Sequence, residues 1–350
     1  MTLRVAILGT GGMANGHAEA FNRIPGVQIA AGIDTNPGRL AEFNARHRIE
    51  IGFTSLDEAL AWGRFDAISN VTPDPVHHPT TLRLVDARKH VLCEKPLATN
   101  AGHATEMAEA ARQAGIVNMV NLSYREVPAV VQAAAMVAAG EIGAVRHFEA
   151  SYLQSWLTQP AWGDWREGDM WLWRLSTEHG SMGVLGDVGI HILDFATYVA
   201  GQGVADVSCR LKTYVKAEGD RIGDYTLDAN DSVTMHLALE DGATGVLHAS
   251  RFASGHINDL RLRIHGTLGG LDVRFEQGES RLMACLGDDL LSGTWREITC
   301  PTVPRNYERF VAGVRSGEQA RPDFARGAEL QRIIDAAFRS DAQNGCRVEV

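Results

Sequence analysis

The stretch Val5-Ala6-Ile7-Leu8-Gly9-Thr10-Gly11-Gly12-Met13-Ala14 passes from an apolar run through glycines into an alanine-rich segment. A short apolar run of this kind reads as a strand buried on both faces. The Gly9-x-Gly11-x-x-Ala14 spacing then reads as the turn of a strand–turn–helix unit that cradles a dinucleotide. Gly9 allows the tight turn, Gly11 lets backbone N–H groups approach a pyrophosphate, and Ala14 lets helix and strand pack closely. The helix start at Gly12 and Met13 offers the phosphates unpaired N–H groups and a partial positive charge. The next apolar run, VQIAAGID, ends in Asp34, 20 residues beyond Ala14, where a carboxylate accepts hydrogen bonds from an adenosine ribose. The alternative is that the glycines only shape a turn and Asp34 caps the segment after it. Strand, turn, helix and acid at these separations weigh against it. An Asp at this point favours NAD, because it repels the 2′-phosphate of NADP. Arg39 lies close enough in sequence to reach that phosphate, so NADP stays open. Thr35 completes the cofactor candidates on this side.

Outward from this unit, the runs LRVAIL, VQIAAGID, FDAISNV, HVLCE and VNMVNL alternate with helical stretches as far as Asn121. Strands alternating with helices predict an α/β domain with a doubly wound parallel sheet over residues 1–122. After Tyr124 the pattern changes. A helix over Val127 to Ala139 leads to the strand VRHFEASY, a tryptophan-rich loop and a helix over Val188 to Ala200. VSCRLKTYV, SVTMHLAL, TGVLHASRF, LRLRIHG and GLDVRF then come without helices between them. Successive strands predict an α+β domain with a mostly antiparallel sheet over residues 123–350. Residues 306–340 read as helical, and the final RVEV as an edge strand.

Composition removes several function classes. The 350 residues carry 33 Lys+Arg against 43 Asp+Glu, a net charge of −10, and no basic cluster, which argues against a nucleic-acid partner. Apolar residues at 45% and charged residues at 22% are ordinary for a folded globular chain. The five cysteines are scattered and form no CxxC pair, so neither a disulfide framework nor a zinc ribbon is expected, and a reducing compartment fits. The longest helical apolar run falls well short of the ~20 residues that span a bilayer. With no secretory pattern at its start, the chain is expected to be cytoplasmic, with no membrane partner.

Three further segments carry chemistry. NVTPDPVHHP and HVLCEKPLA each come directly after a predicted parallel strand, at the end where open α/β sheets bind ligands. In the second, Lys95 stands between Glu94 and Pro96 immediately after the strand. A lysine beside a nicotinamide cation has its pKa lowered by repulsion and is prepared for proton transfer; a surface ion pair is the other reading. In GDVGIHILD, Asp187 and His191 are four apart and share a helix face. Alcohol oxidation needs a base for the hydroxyl proton, and an imidazole titrates in the right range. The other reading is a helix cap and a core histidine. His179 adds no third metal ligand at a telling interval, so no metal is expected. No GxSxG elbow is present, so a hydrolytic triad lacks support. Five of the seven tryptophans, Trp156, Trp162, Trp165, Trp171 and Trp173, crowd one loop beside Asp164, Arg166 and Arg174. Aromatic faces next to polar groups suit a sugar, which makes Trp162 a substrate candidate; a buried core or a subunit interface suits them equally.

Taken together, VAILGTGGMA with Asp34, TPDPVHHP, HVLCEKPLA, NLSYRE and GDVGIHILD occur in the order and spacing of the glucose–fructose oxidoreductase and inositol dehydrogenase family, Gfo/Idh/MocA, which the chain resembles over nearly its whole length. The resemblance implies a Rossmann domain followed by an α+β domain with a large open sheet, and an NAD(P)-dependent oxidoreductase acting on a sugar, anhydrosugar or cyclitol. It further implies Lys95 as the catalytic lysine, aided by Asp187 and His191, and Glu94 near the nicotinamide ribose. Thr72, Pro73 and His77 would line the cofactor, and Trp173-Arg174 would touch cofactor or pocket. Tyr124 and Arg125 of NLSYRE lie near the domain junction as substrate candidates, with packing the favoured role. A homodimer or homotetramer is implied. Some relatives cleave glycosides through transient oxidation, and a non-catalytic dinucleotide sensor is a third class; the intact EKP and DxxxH motifs speak against the sensor.

Overall fold

In the computed structural model, which describes residues 2–350, the apolar run Leu3–Leu8 is β1, and the helix after the glycine turn is α1 (Gly12–Asn22). The alternation continues through β2 (Val27–Ile33), α2 (Pro37–His47), β3 (Gly52–Phe53), α3 (Leu56–Trp62), β4 (Ala67–Asn70), α4 (Asp74–Asp86), β5 (His90–Cys93), α5 (Ala101–Ala114) and β6 (Asn118–Val120). Asn36, Ser55 and Asn100 side chains cap α2, α3 and α5 by accepting from early backbone N–H groups. All strand pairings are parallel, in the order β3-β2-β1-β4-β5-β6. This is the Rossmann order, which reverses between β1 and β4 and leaves a crevice at the carboxyl ends of those strands.

The first compact unit comprises the chain up to Ser123 together with Pro304–Gln331. The linear division at residue 122 does not contain that return. Its cause is the apolar stripe Tyr307, Phe310 and Val311 on the helix Asn306–Ser316, which shares one core with Val5, Ile7, Ala14, Ala18 and Phe21.

The second unit, Tyr124–Val303 with Arg332–Val350, is built on a nine-stranded sheet. In chain order its elements are α6 (Pro128–Ala138), β7 (Val145–Leu153), the short α7 (Asp169–Leu172), α8 (Ile190–Ala200) and β8 (Val204–Lys212). A small hairpin, β9 (Arg221–Ile222) and β10 (Tyr225–Thr226), precedes β11 (Ser232–Leu239), β12 (Thr244–Ser250), β13 (Asp259–Gly266), β14 (Gly269–Glu276) and β15 (Glu279–Leu286). Then come α9 (Asp289–Ser292), β16 (Arg296–Ile298), α10 (Asn306–Ser316, the helix that returns to the first unit), α11 (Phe324–Ala342) and the edge strand β17 (Val348–Glu349). The order is β16-β15-β14-β13-β7-β12-β11-β8-β17, with only β7 and β12 parallel. Sequence reading found β7, β8, β11 to β14 and β17, but not β15, β16 or the β9–β10 hairpin. Period-two alternation turns Val233, Met235, Leu237 and Leu239 of β11 inward; elsewhere in the sheet α8 packs against β7, β12 and β13, and α6 against β14 and β15. The opposite face is polar, with Asp272 bound by both Arg261 and Arg274. Among the described residues, no helix is long and apolar enough to cross a membrane.

Candidate functional site

The glycine turn of the first unit has the backbone its sequence demands. Gly9 sits at φ +83°, and a Cβ there would meet the Val71 carbonyl oxygen at 2.7 Å, so the turn lies directly on the loop after β4. At Gly11 and Gly12 a Cβ would meet nothing within 4 Å, and no side chain caps α1. The first N–H groups of a helix lack internal acceptors, so this open end can bind an anion. Buried Asp34 accepts from the Thr10 N–H at 2.8 Å, the Thr10 hydroxyl at 2.9 Å and the Asn36 N–H at 2.8 Å. Arg39 donates to it twice, from Nε at 3.0 Å and Nη2 at 2.8 Å. Burial works to raise the Asp34 pKa, but the Arg39, Asn36 and Thr10 hydrogen bonds outweigh it and hold the carboxyl at about 2. The turn therefore fits a dinucleotide: open N–H groups for a pyrophosphate and an ionised carboxylate at the end of β2 for a ribose. Thr35 and Met13 are exposed beside it.

The two loops after β4 and β5 are locked by buried polar groups. Glu94 Oε1 accepts from His17 Nε2 at 2.8 Å and from Asn121 Nδ2 at 2.6 Å, while Oε2 accepts the Lys95 backbone N–H at 3.1 Å. His17 also meets the Ser69 hydroxyl, and Asn121 lies within 3.3 Å of the Tyr307 hydroxyl. Expected from the resemblance to face a ribose, Glu94 here has both oxygens engaged by protein donors and anchors the turn that carries half-buried Lys95. His77 is fully buried, with Nδ1 2.8 Å from the Pro96 carbonyl and Nε2 2.8 Å from the Thr72 carbonyl. Two carbonyls only accept, so both ring nitrogens donate and the ring is an imidazolium. Burial lowers its pKa, but Cys93, Asp74 and the Pro96 carbonyl overcome this and push it up to about 10. His77 thus ties the Thr72-Pro73 turn to the Lys95-Pro96 turn, with Pro73 itself exposed.

Burial likewise raises the Glu94 pKa, but the hydrogen bond and charge of His17, then Asn121 and Lys95, outweigh it and hold the group at about 2, against an ordinary 4.5. A depressed folded-state value means stability that is complete above about pH 4.5 and is lost as pH falls toward 2. Glu94→Gln is expected to reduce unfolding free energy at pH 7 by on the order of 2–3 kcal/mol and to flatten this acid-range slope. Urea titrations from pH 2.5 to 7 check it; parallel curves for the two proteins would contradict it.

In the second unit the approach to Asp187 departs from a plain helix. Leu185–Gly189 form one π turn, closed by the Ile190 N–H donating to the Leu185 carbonyl, and α8 starts only after it. The helix expected from Val188 therefore begins two residues later. The 3.6-residue geometry assumed for the Asp187–His191 pair gives way to a wider turn, and such turns recur at functional sites. Asn230 holds this segment: its backbone carbonyl accepts from the Val184 N–H at 2.8 Å and its Oδ1 from the Leu185 N–H at 3.1 Å. Gly183 at φ +65° lies so close that a Cβ would sit 2.3 Å from Asn230 Nδ2. Gly183→Ala is expected to reduce unfolding free energy by roughly 1–3 kcal/mol through strain and clash; an unchanged unfolding midpoint would refute the bracket.

Buried His191 stands edge-on to Tyr124, with ring centroids 5.0 Å apart. The Tyr124 hydroxyl lies 2.6 Å from that of Tyr152, which donates to Asn258 Oδ1 at 2.8 Å; Tyr124 therefore donates to Tyr152. Burial pushes the Tyr124 hydroxyl up to about 12, so it stays neutral. Asp187 Oδ2 accepts from Arg251 Nη2 at 2.9 Å and lies 3.8 Å from Arg174 Nε. Arg125, a substrate candidate by sequence, is instead buried in a two-point ion pair with Asp194 at 2.6 and 2.7 Å, its guanidinium 3.5 Å over the Tyr198 ring. That is packing.

The tryptophan loop divides. Trp156 and Trp165 are buried with Leu157, Leu172, Leu175 and Leu227 in a small core of their own. Trp162 is 38% exposed and stacks on Trp171 at 6.0 Å. Arg174 lies over the rings of both Trp171 and Trp173 and links this aromatic group to Asp187. Sequence reading missed His17, Asn121, Tyr152, Asn230 and Arg251. No local pattern marks them, because each partner lies tens of residues away.

Comparison with known proteins identifies the family of both parts of the chain. Residues 3–122 match the oxidoreductase family with the NAD-binding Rossmann fold, and residues 130–272 match the GFO/IDH/MocA C-terminal domain. The chain is 26% identical to levoglucosan dehydrogenase of Pseudarthrobacter phenanthrenivorans, covering 97% of this chain and 96% of that protein. It is 24% identical to inositol 2-dehydrogenase of Rhizobium meliloti, with 98% of each covered. With scyllo-inositol 2-dehydrogenase (NADP(+)) of Bacillus subtilis it shares 30% identity over 67% of this chain and 69% of that one. A solved structure of levoglucosan dehydrogenase in complex with NADH and levoglucosan superposes with a TM-score of 0.88 at 25% identity, covering 100% of this chain and 99% of the other.

Proposed function

The chain belongs to the GFO/IDH/MocA family of oxidoreductases, and on that premise we propose that it is an NAD-dependent dehydrogenase of a secondary alcohol on a sugar, anhydrosugar or cyclitol. The observation that carries this reading is the full-length likeness to levoglucosan dehydrogenase with NADH and levoglucosan, in a chain whose own sequence has a fitting glycine turn, Asp34, Lys95, Asp187 and His191. Bound NAD supplies the hydride acceptor. The open N–H groups at Gly11 to Met13 hold its pyrophosphate, Asp34 receives the adenosine ribose, and the loops carrying Thr72, Pro73 and Lys95 line its nicotinamide half.

In the second unit, His191 and Asp187 receive the substrate hydroxyls, with Tyr124 holding the imidazole edge-on and Trp162 and Arg174 available to a sugar face. Lys95 takes the hydroxyl proton as the carbinol hydrogen departs as hydride, and His191 assists. NAD is preferred to NADP because Asp34 is ionised and Arg39 is already paired with it.

The test is a screen of monosaccharides, anhydrosugars and inositols with NAD and NADP separately, read as absorbance of the reduced nicotinamide. Reduction of NAD by at least one of these polyols is expected. Tight NAD binding with no polyol oxidised would overturn the reading, and release of free sugar from a glycoside without net NADH would redirect it to hydrolysis.

A further inference from the structure

Arg251, at the end of β12, is the largest side chain buried completely in the chain. Its guanidinium is fixed from three sides. Nη2 donates to Asp187 Oδ2 at 2.9 Å, Nη1 to the Arg174 carbonyl at 3.1 Å, and the group lies 5.2 Å from the centre of the Trp156 ring. The same Arg174 carbonyl accepts the Ser181 hydroxyl at 2.6 Å, so the segment before the π turn is pinned to one point.

Behind Arg251 lies a second buried pair, in which Asp231 Oδ2 accepts from Lys216 Nζ at 2.7 Å and from the Tyr214 N–H at 2.8 Å, with both charged side chains wholly inaccessible. The Arg251 backbone N–H donates to the Asp231 carbonyl at 3.0 Å, which fixes the two residues together. Charge therefore alternates inward from the surface: Asp187, Arg251, Asp231, Lys216. Only Asp187 reaches solvent, its side chain 28% exposed.

We infer that Arg251 is a positioning residue that keeps Asp187 ionised and turned into the substrate pocket, so that Asp187 accepts hydroxyl hydrogen bonds and leaves proton transfer to other groups. The inference rests on the reading that Asp187 faces substrate. A buried guanidinium cannot recover its lost hydration, so it demands a carboxylate; the one it shares on its far side, Asp231, is already bound to Lys216. Asp187 meets that demand. Protonating it would leave Arg251 buried beside a neutral acid. The other groups facing Asp187 are Arg174, which adds to the effect, the neutral Tyr124 and Tyr152 hydroxyls, and His191 one turn along.

The experiment compares pH profiles of kcat/KM for the wild type, Arg251→Gln, Arg251→Lys and Asp187→Asn, with folding checked by circular dichroism and NAD affinity by fluorescence. A cation at hydrogen-bonding distance lowers a carboxyl pKa by about 1–3 units. Arg251→Gln is thus expected to move the acid limb upward by at least about one pH unit, with NAD affinity unchanged within about threefold, and Arg251→Lys to bring the limb back toward the wild type. An unmoved limb in a folded, active Arg251→Gln protein overturns the role. If Arg251→Gln does not fold, carboxyl ¹³C titration of aspartate-labelled wild type, with Asp187→Asn identifying the resonance, decides. Ionisation persisting below about pH 4 supports the inference, and titration above about pH 5 overturns it. Loss of less than about threefold in Asp187→Asn, against the roughly tenfold or more that losing a hydrogen bond to a charged acceptor costs, would instead remove Asp187 from the site, a failure of the underlying reading.

Discussion

Lys95→Ala is expected to lower kcat by at least about 10²-fold while leaving the Kd for NAD within about threefold. The scaffold predicts this separation. The backbone of the turn is held by other groups: Glu94 takes the Lys95 backbone N–H, and His77 holds the Pro96 carbonyl. Removing the Lys95 side chain is therefore expected to leave the loop standing, and the glycine turn and Asp34, proposed to hold the far half of the cofactor, are untouched. On the proposed mechanism, what disappears is the amine that takes the hydroxyl proton. A small primary amine added to the assay is expected to restore part of the rate, as it cannot do for a collapsed loop. Near-normal turnover in Lys95→Ala would remove the lysine from proton transfer.

The second large effect concerns the choice of cofactor. Asp34→Ser is expected to lower kcat/KM with NAD by about 10²-fold and to raise it with NADP, so that the preference reverses or is abolished. Asp34 is ionised and receives two bonds from Arg39. In that state it repels a 2′-phosphate and keeps the nearby cation occupied. Serine removes the repulsion and frees Arg39 to meet the phosphate, while Thr10 loses its carboxylate partner and so weakens the turn for both cofactors. Steady-state kinetics with each cofactor at fixed polyol measure the ratio. Asp34→Ser with the original preference intact would show that Asp34 does not read the ribose.

Local spacing made the cofactor half legible. A strand, a glycine turn, a helix and an acid occupy 30 consecutive residues, from Val5 to Asp34, and their geometry depends on neighbours along the chain. The EKP turn and the Asp187–His191 pair were equally readable as motifs. Their supports were not. Glu94 is held by His17, 77 residues away, and by Asn121, 27 away. Asp187 is held by Arg251, 64 residues on, and its turn by Asn230, 45 from Leu185. No periodicity can announce such partners, because the hydrogen bond forms only once two separate elements have been folded against each other. For the same reason the π turn and the return of α10 to the first unit escaped a reading that proceeds one helix period at a time.

The sequence by itself determined the parallel sheet, the mixed second domain and the dinucleotide turn, and it supplied the candidates for the reactive side chains, since these stem from short-range periodicity and the stereochemistry of glycine, proline and carboxylate. Only the tertiary structure decided what state those side chains are in. It turns Arg125 to packing, spends Glu94 on the Lys95 turn, charges His77 and backs Asp187 with a buried guanidinium. Ionisation and orientation depend on burial and on partners distant in the chain, and those exist only in the folded molecule.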